Sequence, residues 1–383
     1  MDYSIISGDD HLDLQYLPAD LWTSRLPRSL GERAPHVEER DGRSVWVCDG
    51  AVWGGWAGTS RPAGPKANFN AFDRGGVPED EMHPAKPKLR LADMDRDGVQ
   101  AHVMFGPVTT MSVEDPELRT ACYRAYNDWL AEFCGNAPDR LIGVAMLPPD
   151  DPAAAAREVY RLADTGVIRQ ANLQVARVHP RLHDASWEPV WNAFEETGLI
   201  MSWHVFVFFA TGPNAPEFGK PAGVFSNTKL FVSQFLDPFV DLFAWGILER
   251  HPKFRLVMAE SGLGWLPWVV QELDYRHWRL WEAKEYWEQR GGIDLHMKPS
   301  ELFRRQVYTT FQEDYVAMNL LDFYGESNVL WASDYPHPDS TWPNSRKVIE
   351  RDLGHLPAET REKLLRTTVA KLYGMEIPQP ARN

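Results

Sequence analysis

The chain has 383 residues, 44% of them hydrophobic, and a formal net charge of −14. A single core of that length is ordinary only in an oversized barrel domain, and acidic residues spread along the whole chain disfavour a phosphate-backbone partner, so nucleic acid is not expected. Cys48, Cys122 and Cys134 make no close pair and no zinc-ribbon spacing, no run approaches the roughly 18 apolar residues of a membrane span, and no signal-type apolar stretch precedes Asp9. A reduced, cytoplasmic setting without a membrane partner is the expectation.

Eight short apolar runs rich in β-branched residues alternate with helical stretches along the chain. The first, 3–8, leads into Asp9-Asp10-His11, and a region rich in Gly, Pro and Trp follows over 33–87. Within it, 36–47 reads as a hairpin turning at Asp41-Gly42. The rest reads as a long loop, and its aromatic content marks it as an active-site cover. The next runs are 101–106, 141–147, 170–175, 199–205, 254–259, 306–310 and 328–333.

Asp115-Pro116 and Asp151-Pro152 announce helices over 117–134 and 153–164, because a capping Asp before Pro at the first helical position satisfies the free amides of the first turn. Gly166 and Gly198 stand where two helices stop. The runs are continuous rather than alternating, as in parallel strands covered on both faces. Strand-then-helix order repeated eight times predicts an α/β fold, a (β/α)8 TIM barrel with a long insertion after strand 1, with 1–383 as one domain. Sixteen tryptophans, among them Trp53, Trp56, Trp265, Trp268, Trp278, Trp281 and Trp287, predict a packed aromatic core together with a subunit interface, and hence a homodimer.

In such a barrel the chemistry sits at the carboxyl ends of the strands. Strand 1 runs into Asp9 and His11, strand 5 into His204, strand 6 into Glu260 and strand 8 into Asp334. Asp9 and His11 are two apart, so on extended chain both face the same way. A lone His or Asp at a strand end is more often a hydrogen-bonded core group or loop cap than a ligand. Four ionisable groups converging from separate strands reverse that expectation, because burying them together is costly without a shared counter-ion. Two imidazoles and two carboxylates suit a divalent metal such as Zn²⁺, Fe²⁺ or Mn²⁺.

Asp9-x-His11, His204 and the run Ala332-Ser333-Asp334-Tyr335-Pro336-His337 resemble the amidohydrolase-related family that includes the aminocarboxymuconate semialdehyde and resorcylate decarboxylases. Leu91-Ala92-Asp93-Met94-Asp95-Arg96-Asp97-Gly98-Val99 and Glu260-Ser261-Gly262-Leu263-Gly264-Trp265-Leu266-Pro267 extend the resemblance over most of the chain. It implies the barrel, a divalent metal on Asp9, His11, His204 and Asp334, and a small organic substrate. It does not imply one reaction, since the family includes decarboxylases, hydrolases, hydratases and a few dinuclear iron oxygenases. At the end of strand 6 this chain has Glu260 where the decarboxylases and many hydrolases carry histidine.

Three reactions fit these residues. Hydrolysis is the leading expectation: Asp334 deprotonates a metal-activated water and Glu260 protonates the leaving group, two neighbouring carboxyls having their pKa values pushed apart. A dinuclear iron or iron–manganese monooxygenase is the first alternative, because Asp9, Glu260 and Asp334 leave negative charge that a second ion would neutralise, with His337 and His277 as further nitrogen ligands. Non-oxidative decarboxylation, with protonated Asp334 delivering a proton to carbon, is the second. His83, Lys86, Arg276, Arg279 and the Trp-rich insertion are candidates to meet the substrate.

Overall fold

A computed structural model describes residues 4–58, 82–107, 113–205, 221–337 and 340–376. In chain order the strands are β1 (Ile5–His11), β2 (His36–Arg40), β3 (Arg43–Cys48), β4 (Ala51–Gly55), β5 (Val99–Phe105), β6 (Leu141–Leu147), β7 (Gln170–Leu173), β8 (Ile200–His204), β9 (Leu256–Ala259), β10 (Val307–Phe311) and β11 (Val329–Trp331). Eight of them pair in parallel in the order β1-β5-β6-β7-β8-β9-β10-β11, which are the eight apolar runs of the sequence. The two edges of this sheet meet where Asp334 N–H donates to the Asp9 carbonyl at 3.0 Å and His11 N–H donates to the Tyr335 carbonyl at 2.7 Å. Tyr3, at the start of the first expected run, lies outside the described residues.

The helices include α1 (Pro87–Asp97), α2 (Pro116–Cys134), α3 (Pro152–Asp164), α4 (Glu188–Thr197), α5 (Pro221–Ala244), α6 (Ile247–Arg250) and α7 (Leu266–Glu282). The caps read from sequence are present: the Asp115 side chain accepts from the amides of Glu117 and Leu118, and the Asp151 side chain from that of Ala154. Gly198 ends α4 in a left-handed conformation at φ 73°, open to glycine without strain. No helix among the described residues is long and apolar enough to cross a membrane.

The interior of the barrel is filled by Ile6, Val103, Ile142, Val144, Ile200, Val257 and Leu330, and its floor is closed by Val369, Ala370, Leu372 and Tyr373 from the C-terminal helix Thr368–Leu372. These strands are buried on both faces, which is why their sequences run apolar without alternation.

The insertion after β1 departs from the expected hairpin plus loop. Its described part is a three-stranded antiparallel sheet in the order β2-β3-β4, and the third strand turns at Asp49-Gly50 (φ 50° and 80°) just as the first turn does at Asp41-Gly42 (φ 52° and 72°). Paired left-handed residues are what a two-residue hairpin turn requires, and Asp-Gly supplies them. Tryptophans anchor this sheet. Trp46 donates to the Leu14 carbonyl at 2.8 Å, Trp56 to that of Leu17 at 2.9 Å, and Trp22 packs edge-on against both Trp46 and Trp53. The central part of the expected cover, 59–81, lies outside the described residues. On α7, by contrast, Trp268 and Trp278 are 64% and 50% exposed.

Candidate metal centre

The pairing of β1 with β5 shifts between Ser7 and Asp10. Beyond it, strand alternation sorts three consecutive polar residues. Asp10 turns outward, where Ser333 Oγ and the Tyr335 amide donate to its carboxylate at 2.5 and 3.2 Å. Asp9 and His11 turn toward the mouth of the barrel. Bulges that re-aim a side chain are frequent beside active sites.

There, Asp9 Oδ1 lies 3.6 Å from His11 Nε2 and 3.4 Å from His204 Nε2, and Asp334 Oδ1 lies 3.0 Å from His11 Nε2. All four side chains are buried. Asp9, His11 and His204 offer ligand atoms that lie within 4.8 Å of one another. Asp9 Oδ1, His11 Nε2, His204 Nε2 and Asp334 Oδ1 make no hydrogen bond. A buried polar atom left so costs about 1–3 kcal/mol, and a single cation among Asp9, His11 and His204, with Asp334 beside His11, would satisfy them. The four expected ligands therefore fit a divalent metal.

The tautomer of His204 is fixed in the same sense. Its Nδ1 lies 2.8 Å from the Val205 carbonyl, which can only accept, so Nδ1 carries the proton and Nε2 keeps its lone pair for the site. Burial opposes a charge on this ring, but Asp9 and Glu260 outweigh it and lift its pKa to about 9. Burial, with His337 nearby, drives His11 the other way, well below the ordinary histidine value. The carboxylates thus demand positive charge at the mouth, and a cation supplies it without protonating a ligand.

Glu260 stands at the rim, its Oε2 3.6 Å from His204 Nε2 and its side chain one-third exposed. Burial of the carboxyl group and repulsion from Asp334 raise its pKa to about 8. Its backbone is left-handed (φ 48°), as is that of Asp334 (φ 60°), an uncommon conformation for residues with a Cβ. Thr310 Oγ1 bridges the two halves of the site, accepting from Glu260 N–H at 2.9 Å and donating to Asp9 Oδ2 at 3.2 Å.

His337, expected as a ligand to a second ion, is otherwise engaged. Its Nδ1 lies 3.1 Å from Asp334 Oδ2, its Nε2 lies 3.0 Å from Asp13 Oδ2, and its ring stacks on His11 at 3.8 Å. Asp13 and Asp334 outweigh burial and raise the pKa of His337 well above the ordinary value, while His337 holds Asp13 down at about 2 despite its burial. His337 thus steadies the Asp334 carboxylate from behind. His11, Asp13 and His337 also have ligand atoms within 4.8 Å of one another. That set shares His11, whose Nε2 is directed at Asp9 and Asp334, and a neutral imidazole has one lone pair to give.

The structure does not bring His277 to the centre. It lies on α7 with Nε2 3.0 Å from the Leu295 carbonyl and 3.2 Å from Trp281 Nε1, because that helix packs against 295–297 rather than over the mouth. Arg276 and Arg279 are exposed on the same helix, Arg276 pairing with Glu272. Lys86 is the exposed N-cap of α1. The backbone amide of His83 donates to Tyr335 Oη at 2.9 Å and to Asp93 Oδ2 at 2.8 Å, so the insertion returns beside Asp334's neighbour.

Several contributors were not singled out from sequence. Asp13 continues the two-residue spacing of Asp9 and His11, and that spacing could have found it. Thr310 is a hydroxyl at a strand end. Buried Arg90, whose NH1 donates to the His11 carbonyl at 2.8 Å, gives no signal in the sequence of an otherwise ordinary helix. Phe105, at the end of β5, leans on His204 with ring centroids 4.8 Å apart.

The family model "Amidohydrolase" matches residues 45–375. Gamma-resorcylate decarboxylase of Rhizobium radiobacter is 22% identical over 305 residues, 75% of this chain and 86% of that protein. An amidohydrolase of Mycobacterium avium subsp. paratuberculosis superposes with a TM-score of 0.72 at 20% identity, covering 98% of this chain and 100% of its own. 5-Carboxyvanillate decarboxylase of Novosphingobium aromaticivorans, solved with manganese and a nitrobenzoic acid, gives 0.58 at 22% identity over 74% of this chain and 79% of its own. With a matched family model spanning most of its length, the chain belongs to the amidohydrolase family.

Proposed function

We propose that the protein is a metal-dependent decarboxylase of a small aromatic or unsaturated carboxylic acid. The observation that carries this reading is the pairing of a buried set of candidate ligand atoms with a neighbouring, partly exposed carboxyl group. Asp9, His11, His204 and Asp334 present four unsatisfied buried ligand atoms, Phe105 walls them with an apolar ring, and Glu260 stands beside them with access to solvent. Relatives aligned over three-quarters of the chain are decarboxylases, which supports this reading over the hydrolysis expected from the residues alone.

Asp9, His11, His204 and Asp334 would hold a divalent ion, which would supply positive charge for a substrate carboxylate. The manganese in the Novosphingobium enzyme makes Mn²⁺ the first ion to load, and the nitrogen and oxygen donor set accepts it. His337, braced by Asp13, keeps the Asp334 carboxylate oriented toward the site. Phe105, packed on His204, makes that side of the site apolar. The bond from carbon to the carboxylate breaks, its electron pair stays on carbon, CO2 leaves, and the proton of Glu260 closes the valence. The rim position of Glu260 lets solvent restore that proton.

The test is CO2 release by Mn²⁺-loaded protein from a panel including 2,6-dihydroxybenzoate and 5-carboxyvanillate, run beside amides and lactones. Stoichiometric CO2 with solvent deuterium at the vacated carbon is expected. Turnover of an amide or lactone with no CO2 from any acid would overturn the reading in favour of hydrolysis.

A further inference from the structure

The metal centre occupies the carboxyl ends of the strands. At the opposite end, where β9 and β10 begin, a cleft of ≈ 410 Å³ is lined by Arg255, Arg304, Arg305, Lys363, Lys371 and Tyr308. Its volume is within the range of small-ligand sites. Five cationic side chains around one cleft are a sharp local exception on a chain of net charge −14.

The charge there is cancelled only at Lys363 among the described residues. No carboxylate lines the cleft among the described residues. Lys363 alone of the five is ion-paired among the described residues, with Glu326 at 2.9 Å and Glu359 at 3.1 Å. Arg304 donates to the Phe323 carbonyl at 3.3 Å, and Arg305 to the Leu248 carbonyl at 2.8 Å and the neutral Gln306 side chain at 2.7 Å. Arg255 and Lys371 are exposed and have no acidic partner among the described residues. Like charges gathered without counter-charge destabilise one another, and an anionic ligand relieves that cost.

A second feature points to the same place. The C-terminal helical segment is interrupted by a π-helical run, Lys363–Thr367, and that run together with Thr368 and Lys371 forms one wall of the cleft. Single π turns within helices are rare and occur often at functional sites. Here the run brings the Thr367 and Thr368 side chains to the same cleft as the arginines. The Thr367 hydroxyl already donates to the Glu362 carbonyl at 3.5 Å, so the guanidinium forks and the ammonium groups are the donors left to match phosphoryl oxygens.

We propose that this cleft is a binding site for a small multivalent oxyanion of the diphosphate class. The ligand bridges Arg255, Arg304 and Arg305, at the feet of β9 and β10, to Lys371 on the helix that carries Val369, Ala370, Leu372 and Tyr373 into the barrel floor. Binding therefore ties the floor to the strands. The site is independent of the metal centre and of the reaction catalysed there.

Calorimetric titration of the full-length, metal-loaded protein with inorganic pyrophosphate, with citrate and chloride at matched ionic strength as comparison anions, tests the assignment. Saturable 1:1 binding of pyrophosphate is expected, with Tm raised by about 3 °C at a hundredfold excess over Kd. The double variant Arg255→Gln/Lys371→Gln changes two exposed side chains and is expected to bind at least tenfold more weakly. Any chelation of the metal by pyrophosphate affects both proteins alike, so the difference between them reports the cleft. Pyrophosphate binding no stronger than that of citrate, no saturable binding at all, or undiminished affinity in the double variant would each overturn the proposal.

Discussion

Replacing Thr310 by valine tests whether the centre is built as one unit. The change preserves shape but removes a hydroxyl that accepts from Glu260 N–H at 2.9 Å and donates to Asp9 Oδ2 at 3.2 Å. The Glu260 amide is then left without an acceptor in a left-handed corner, at a cost of about 1–3 kcal/mol. Unfolding entropy of roughly 2.1 cal/mol/K per residue gives about 0.8 kcal/mol/K for a chain of 383 residues. A fall in Tm of about 1–4 °C follows. Asp9 also loses the bond that orients it, and losses of this kind typically weaken metal binding by about 10–100-fold. Chelator competition and thermal melts, each with and without Mn²⁺, measure the two effects, and Thr310→Ser restores both. Metal affinity within twofold of the parent and an unchanged Tm would refute the idea that Thr310 couples the two strand ends.

Asp13→Asn removes the carboxylate that braces His337 at 3.0 Å, so metal affinity should fall by about tenfold while the fold is retained; unchanged chelator competition would count against the bracing role. His277→Ala should leave the metal stoichiometry unaltered, as elemental analysis of the purified variant can check, because that ring bonds the Leu295 carbonyl. Asp97 is buried between α1 and Ser345, and burial, against the bonds from Ser345, raises its pKa to about 6. The unfolded chain ionises near 3.9. Folded protein therefore loses stability as pH rises from about 4 to 6, reaching about 3 kcal/mol above that window. Asp97→Asn, which can keep both contacts with Ser345, should raise Tm at pH 8 and change it little at pH 4. An equal shift at both pH values would reject the linkage.

The barrel was legible because its strands are covered on both faces: a short apolar run without alternation, bounded by turn residues and repeated between helices, suits a buried parallel strand and little else. The candidate ligands were legible for a related reason: Asp9, His11, His204 and Asp334 are ionisable groups at the ends of runs that are otherwise mainly apolar. Position along a strand was enough to place them. It was not enough for His277, which follows β9 in sequence but sits on a helix whose inward side packs against 295–297. Nor could it reveal the pairing shift in β1 between Ser7 and Asp10, a property of the closed sheet, although alternation alone already turns Asp10 away from Asp9 and His11. The third strand of the insertion, Ala51–Gly55, was lost among glycines although Asp49-Gly50 repeats the turn signal at Asp41-Gly42.

Glu260 and Asp334 share a feature that no composition reveals. Both are non-glycine residues at positive φ, 48° and 60°, at the ends of barrel strands. Such positions cost on the order of 1–3 kcal/mol each and persist where surrounding structure over-determines them. Here the determinants are visible: the Glu260 amide is held by Thr310, and the Asp334 amide by the Asp9 carbonyl. Each clamp runs through β1 or through a side chain that itself bonds Asp9. The backbone turn that directs each carboxylate to the mouth therefore depends on the strand that supplies the first two ligands. A glycine at either corner would relax the chain but remove the carboxylate the turn exists to aim. Strain at these two corners, rather than the barrel beneath them, is the cost of bringing the Glu260 and Asp334 carboxylates to one mouth.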